Sequence, residues 1–424
     1  MTAGLWAATR RTFRALSVRN YRLYFTGQVV SSTGTWMHTV ALGLLVLSSR
    51  LHGNGLNVGV VTALQFLPIL LLGTWGGLIV DRIEKRRILY ITQSAAGLLA
   101  LALGLIVAFN AVTMWEVYVI AGLFGVVNLF DNPARQTFVQ EMVGRDLMSN
   151  AISLNSVVMN AARVVGPAIG GVLIYTVGIE ACFLINAASY AAVLVALVRM
   201  RRSELHPAPI VERARGQVRE GFRYVRSVPG LRRPLLAMAV VGIFAFNFVT
   251  TLPLLAEHTF HGGAGTYSAF TAAMGAGSVI GGLLVAHRSR PSEALLSAVG
   301  LAFGVMMLLV AVSPTEVVVL AALFGMGICS LAFVSTANST MQLGSEATMR
   351  GRVMALFAMA FLGSTPLGGP LVGWISDAST PRVAILVGAV AAIGSGLVLG
   401  VSVRAARRRP GPPSTVTSSS ELAA

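Results

Sequence analysis

Gly76-Gly-Leu-Ile-Val-Asp-Arg82 returns 205 positions later as Gly281-Gly-Leu-Leu-Val-Ala-His-Arg288. Ala121-Gly-Leu-Phe-Gly125 returns after 200 positions as Ala321-Ala-Leu-Phe-Gly325, and Gly166-Pro-Ala-Ile-Gly-Gly171 after 203 as Gly369-Pro-Leu-Val-Gly-Trp374. Three pairs at nearly one offset point to an internal duplication. All six segments lie in, or at the end of, apolar runs of about 20 residues, the length that crosses a bilayer as a helix. Such runs fall near 23–48, 57–80, 88–109, 115–138, 150–175 and 180–199, then near 233–256, 267–286, 294–312, 316–340, 351–376 and 382–403. The pattern predicts an all-α integral membrane protein of twelve transmembrane helices. They form two six-helix halves related about the membrane normal, a plan in which a substrate site lies between the halves near the midplane.

Composition agrees. The 424 residues are 55% hydrophobic and 11% charged, with mean hydropathy +0.75, whereas a soluble chain carries about 25% charge. A soluble enzyme, a disordered chain and a coiled coil are excluded. The net charge of +16 raises the question of nucleic acid, and the placement of the charge answers it. With the N-terminus in the cytoplasm, 29 of the 32 basic residues fall on the cytoplasmic side, Arg50 and Arg382 fall outside, and Arg163 lies within a span. That is the positive-inside asymmetry of a multi-pass protein with both termini inside, so no nucleic-acid partner is expected. Residues 1–22 read as a cytoplasmic tail without a cleavable signal, 23–199 as the first half and 200–232 as a basic linker containing Pro207, Pro209 and Pro229. Residues 233–404 read as the second half and 405–424 as a disordered tail. Within the linker, 216–225 (GQVREGFRYV) has the pattern of a short amphipathic helix on the anionic inner leaflet. Cys182 and Cys329 sit in apolar runs and form no framework.

Between spans 2 and 3 stands Gly77-Leu-Ile-Val-Asp81-Arg82-Ile-Glu84-Lys85-Arg86-Arg87. This resembles the loop 2–3 signature of the major facilitator superfamily, and the resemblance extends over nearly the whole chain. Glu84, the stretch Asn132-Pro-Ala-Arg135-Gln, and Arg163-Val-Val-Gly166-Pro167-Ala-Ile-Gly170-Gly171 are similar to the branch containing the enterobactin exporter and macrolide-efflux proteins. The resemblance implies the major facilitator fold and export of a hydrophobic or amphipathic small molecule, a drug or a siderophore, in exchange for protons. Gly166, Pro167, Gly170 and Gly171 resemble the span-5 packing motif of the drug:proton antiporter branches, although Ala162 and Ser153 stand where that motif has glycines.

The residues also speak for themselves. Gly77 lets two helices approach closely. Asp81, at the inner membrane edge, can meet a positive helix N-terminus or an arginine, a contact available only while the cytoplasmic side is closed. Ala286 takes its place in the second half, so the latch is one-sided. Arg82 and Arg86 read as gating partners, Lys85 and Arg87 as topogenic charges. Asp131 lies about 24 Å along span 4 from Trp115 at 1.5 Å per residue. Two arrangements are open for it: an Asp81–Arg86–Asp131 network that breaks as the cytoplasmic gate opens, or a pair with Arg135 one turn away across Pro133, which is expected to distort the helix. Arg163, a cation inside a span, needs a partner or a wet cavity. It is a cavity counter-charge or a contact to an anionic substrate, or else a structural donor to carbonyls or to neighbours such as Asn160.

Gln28, Ser31, Thr35 and His38 put a polar face on span 1, and Asn247 and Asn338 are further intramembrane polar residues. Gln28, His38, Asn247 and Asn338 join Arg163 as candidates for cavity or coupling roles; His38 either titrates in a proton cycle or is a satisfied core histidine. Glu257 and Asp377 read as interfacial. Nucleotide-binding, metal-ligand and catalytic-triad patterns do not occur, so no cofactor or metal is expected and energy comes from an ion gradient. The expectation is a monomeric, non-enzymatic transporter in a prokaryotic cytoplasmic membrane, with a small molecule, protons and lipid as its partners. An importer or facilitator of the same fold, and a transport-inactive scaffold or sensor, are the alternatives.

Overall fold

The computed structural model describes residues 13–206, 217–286, 292–346 and 348–407. Among them, twelve helices are long and apolar enough to cross a membrane. The first half comprises α1 (Arg19–Leu47), α2 (Gly55–Arg82), α3 (Lys85–Ala108), α4 (Met114–Gly144), α5 (Asp146–Thr176) and α6 (Ile179–Arg199). A short helix, α7 (Gln217–Ser227), precedes the second half. That half comprises α8 (Pro229–Thr259), α9 (Gly263–Ala286), α10 (Glu293–Val312), α11 (Glu316–Gly344), α12 (Arg350–Ala378) and α13 (Pro381–Arg407).

Three features depart from the sequence reading. No extended loop separates α4 from α5, because the chain turns at Gly144, whose φ of 70° suits a residue without a Cβ. The helix is also undistorted at Pro133: its dihedrals stay helical there and at Pro167, as membrane helices allow when neighbours re-satisfy the freed carbonyls. Conversely, α8 and α12 are discontinuous. The first stops at Phe244 and resumes at Phe248, then ends in a π turn at Leu255–Thr259. The second stops at Phe361 and restarts at Thr365, where Pro366 supplies a helix start that needs no N–H.

The duplication appears in the packing. In the first half α2 packs on α4 and α3 on α6; in the second, α9 packs on α11 and α10 on α13. The glycines of the repeated segment make the same contact twice, Gly76 against Leu129 and Gly281 against Ile328. A Cβ at Gly281 would collide with Ile328 O, a backbone atom, so only glycine permits that approach. The two aromatic-rich cores of the first half hold Tyr21, Tyr24, Phe138 and Phe183; the core of the second holds Phe270, Phe303 and Phe333. The predicted linker helix forms as α7, but it docks on the second half. Val225 is buried in that half's core, Glu220 pairs with Arg352 at 2.9 Å, and Glu346 N–H donates to the Tyr224 hydroxyl.

The halves meet along two pseudo-equivalent seams, α2 with α12 and α5 with α9. On the first, Gly55 and Gly59 lie backbone-to-backbone against Gly373 and Gly369; on the second, Gly171 lies against Ser268. These contacts occupy the side of the molecule opposite the helix ends that carry Arg19, Arg22, Arg82 and Arg199. The protein is thus sealed at the face away from its basic ends.

Candidate functional site

The seal has a polar lock. Asn54 caps α2, its side chain accepting from Asn57 N–H at 3.0 Å, which leaves the first two N–H groups of the helix to be satisfied. Asp377, near the end of α12, takes both: Oδ1 accepts from Gly55 N–H at 2.7 Å and Oδ2 from Leu56 N–H at 2.8 Å. A carboxylate of one half therefore closes a helix N-terminus of the other, where the helix dipole favours negative charge.

Behind the seal lies a cavity of about 300 Å³ between the halves. Its walls include Trp36 and Thr39 of α1, Phe66 of α2, Arg163 of α5, Tyr267, Thr271 and Ser278 of α9, and Ser330 of α11. The two helix breaks add to the lining: Phe246 lies in the break in α8 and Phe248 restarts the helix, while Phe361, Leu362 and Thr365 surround the break in α12. Non-helical backbone at membrane depth is tolerated where it is buried in protein or lines such a cavity. Phe246 stacks on Phe303 with centroids 5.3 Å apart and meets Phe361 edge-on at 5.6 Å. The Arg163 guanidinium lies over the Trp36 ring at 5.0 Å, a cation–π contact in a desolvated setting.

A second polar centre is enclosed within the first half. Asp131 of α4 accepts at Oδ1 from Thr92 Oγ1 and Gln93 Nε2, both at 2.7 Å, and at Oδ2 from Arg135 Nη2 at 2.5 Å and Nε at 3.0 Å. Arg135 Nη1 donates to Gln28 Oε1 of α1. The carboxylate is 3% exposed and its guanidinium partner 22%. A buried pair repays its desolvation only when the remaining lone pairs are also satisfied, and here Thr92 and Gln93 satisfy them.

Against known proteins, residues 10–412 match the family model described as transmembrane secretion effector. The chain belongs to the major facilitator superfamily. It is 26% identical over 251 residues to the staphyloferrin A transporter of Staphylococcus aureus, covering 57% of this chain and 60% of that one. It is 27% identical to the multidrug efflux pump Tap of Mycolicibacterium fortuitum, over 83% and 88% of the two chains. It is 25% identical to the enterobactin exporter EntS of Shigella flexneri, over 94% and 96%. The match to the first of these relatives thus spans less than two thirds of its length. Among solved structures, a bacterial homologue of the human lysosomal transporter Spinster, inward-facing and unoccupied, superposes with TM-score 0.74 at 14% identity, covering 93% of this chain and 99% of that one.

In this major facilitator superfamily member the remaining sequence candidates fall in several places. Arg163 lines the cavity; Gln28, His38, Asn247 and Asn338 do not appear in its lining. Gln28 belongs to the Asp131 cluster. His38 is buried in the first half's core between Phe124 and Phe183, with centroids 5.3 and 4.9 Å away. Asn247 is built into the α8 break, its Nδ2 donating to Ile243 O at 2.7 Å, and Asn338 accepts from Gln342 on an accessible surface of α11.

Of the two arrangements open for Asp131, this conformation holds the pair with Arg135. Arg86 turns away, donating to Leu197 O at 2.5 Å and to the Tyr90 hydroxyl at 3.2 Å, so it caps the last turn of α6. Arg82 is exposed at the end of α2, and the side chain of Asp81 lies outside the described residues. Gly76, next to Gly77, faces α4. Gly166 and Gly170 let α5 approach α1 at Trp36 and Met37, while Gly171 reaches across to α9. Sequence reasoning missed the Asp377 lock and Trp36. The signal for the lock was present: Asp377 follows the second copy of the GP-containing repeat by three residues, and Asn54-Gly55 is a helix start.

Proposed function

We propose that the chain is a secondary active exporter of an amphipathic small molecule, working by alternating access in a bacterial cytoplasmic membrane, with both termini and the basic face in the cytoplasm. The observation that carries the reading is the cavity between the halves, sealed by the α2–α12 and α5–α9 seams on the face away from the basic ends. It is bordered by two broken helices, as transporter sites are. The named relatives, a staphyloferrin A transporter, an enterobactin exporter and a multidrug efflux pump, support export and a siderophore- or drug-like substrate.

In this reading the halves rock about the cavity as a monomer and protons drive the cycle in exchange for substrate. Asp131, paired with Arg135 and through it with Gln28, takes part in the gating: the pair rearranges as the basic face closes. Asp81, Arg82 and Arg86 gate the basic face when it closes. The test is accumulation of fluorescent amphipathic compounds in efflux-deficient bacteria expressing wild type or Asp131→Asn, with and without a protonophore. Lower accumulation with wild type alone, abolished by the protonophore, is expected. Lower accumulation that survives the protonophore defeats proton coupling, and higher accumulation with wild type indicates an importer.

A further inference from the structure

We propose that the cavity binds an organic anion, an acid carried on an aromatic or aliphatic body, with Arg163 as the group that reads its charge. The inference deepens the exporter reading and rests on it for the direction of movement, though not for binding.

Arg163 is the single charged residue among the described residues that line the cavity. It forms no ion pair among the described residues, and its buried Nε has no hydrogen-bond partner. At 1.5 Å per residue it sits about 26 Å from the start of α5 and about 20 Å from its end, so neither helix end lies near it. An unpaired cation at that depth is costly. The Trp36 ring offsets part of that cost, no anionic partner among the described residues offsets the rest, and a bound anion would.

The geometry says how. The guanidinium carbon sits over the Trp36 ring, 5.0 Å from its centroid. The N–H donors of the guanidinium point outward in its plane, the direction in which arginine binds a carboxylate through two bonds. The walls supply what an amphiphile needs for its remainder: Phe246, Phe248 and Phe361 on one side, with Thr271 and Ser330 as isolated hydroxyls. The volume, about 300 Å³, is at the small end of ligand pockets and suits a body of two or three rings. Among the described residues no carboxylate lines the cavity to attract a cation.

The approach is marked as well. Ser149, Ser153, Ser156 and Asn160 precede Arg163 at spacings of four, three, four and three. They therefore share its face of α5. The three serines are exposed and Asn160 half-exposed, so a polar stripe leads from the basic end of the helix to the guanidinium.

The test uses three probes of matched shape: 2-naphthoate, its neutral amide 2-naphthamide, and the cation 2-naphthylmethylammonium. Binding to the full chain in phosphatidylcholine nanodiscs is measured by equilibrium dialysis, with empty nanodiscs as the partition control. Wild type is expected to bind the acid about ten-fold or more tighter than either analogue, the margin of a charge-assisted bond. Arg163→Gln brings acid and amide to within about two-fold, while Arg163→Lys, which keeps the charge, keeps the order and shows that the site is folded. Equal binding of all three probes by wild type, a preference for the cation, or an acid preference that survives in Arg163→Gln overturns the proposal. Proteoliposomes loaded with the same probes under an imposed pH gradient separate the two readings. Acid-selective binding without movement leaves the anion site and defeats the exporter; movement without acid selectivity leaves the exporter and defeats the anion site.

Discussion

Replacing Asp377 by alanine removes the two bonds that tie the end of α12 to the start of α2. Each half holds one side of this contact, so opening the sealed face breaks both bonds together. A carboxylate at an exposed helix N-terminus contributes about 0.3–1 kcal/mol, and charge-assisted bonds of 2.7 and 2.8 Å lie at the favourable end. Because Asp377 is exposed, water replaces it at the freed N–H groups, which limits the loss to about 1–2 kcal/mol. That is a 5- to 30-fold shift in the equilibrium between the sealed and unsealed states. A conformer populated at roughly 1% would rise to about 5–25%. Gly59→Ala should act more strongly, since its Cβ would fall 2.8 Å from Pro370 Cα, a backbone atom that cannot rotate aside. The assay places spin labels on Phe109→Cys and Val317→Cys, exposed residues of opposite halves at the sealed face, in a chain with Cys182→Ala and Cys329→Ala. Pulsed dipolar spectroscopy then reads the distance distribution. Growth of a longer-distance population in both variants is expected. Distributions matching the parent in both would refute the assignment of this seam as the lock.

The first-half cluster gives a stability test. Asp131→Asn leaves the Arg135 charge in a largely buried site and should lower stability by about 3–5 kcal/mol, whereas the double change Asp131→Asn with Arg135→Gln should recover most of it; thermal unfolding in detergent reads both. Arg86→Met should cost under about 1 kcal/mol in the same assay. It loses the bond to Leu197 O but also removes Nε and Nη1, which are buried without partners. Gly166→Ala places a Cβ 2.6 Å from Trp36 Cβ and 2.7 Å from Thr33 O, an overpacking expected to cost about 1–3 kcal/mol and to weaken naphthoate binding by displacing Trp36 from Arg163.

The span pattern and the halves were legible because bilayer thickness and repeat offset act on long stretches of sequence. The Asp131–Arg135 pair was legible for a local reason, four residues on one helix. What escaped were consequences of tertiary packing. The breaks in α8 and α12 fall at residues 245–247 and 362–364, inside long apolar runs; Asn247 and the stretch Gly363-Ser364-Thr365-Pro366 are the local marks. Of the polar face of α1, Gln28, Ser31 and His38 are buried and Thr35 is exposed. A polar stripe cannot say whether inside means a cavity or a core, and for His38 the answer is two phenylalanine rings. Arg86 was expected near Asp131 because both lie toward the basic ends of their helices, yet the carbonyl of Leu197 on α6 holds it instead.

The α2–α12 pair also allows a sharper test of alternating access. These helices run antiparallel, so each face of the protein carries one helix start and one helix end of the pair. At the sealed face the start of α2 meets Asp377. At the basic face the end of α2 carries Asp81, the carboxylate proposed to lock that face when it closes. The second half has Ala286 where the first has Asp81, and the α5–α9 seam uses Gly171 against Ser268 in place of a carboxylate, so α2 and α12 hold both locks. Asp377→Asn should then favour opening of the sealed face and Asp81→Asn should oppose it. The two sites lie about 40 Å apart along α2 at 1.5 Å per residue, too far to interact directly, so their effects should add. The double variant is expected to return the spin-label distribution to within about two-fold of wild type. Shifts of the same sign from both single variants would mean that Asp81 does not act as the counter-lock, whatever Asp377 does.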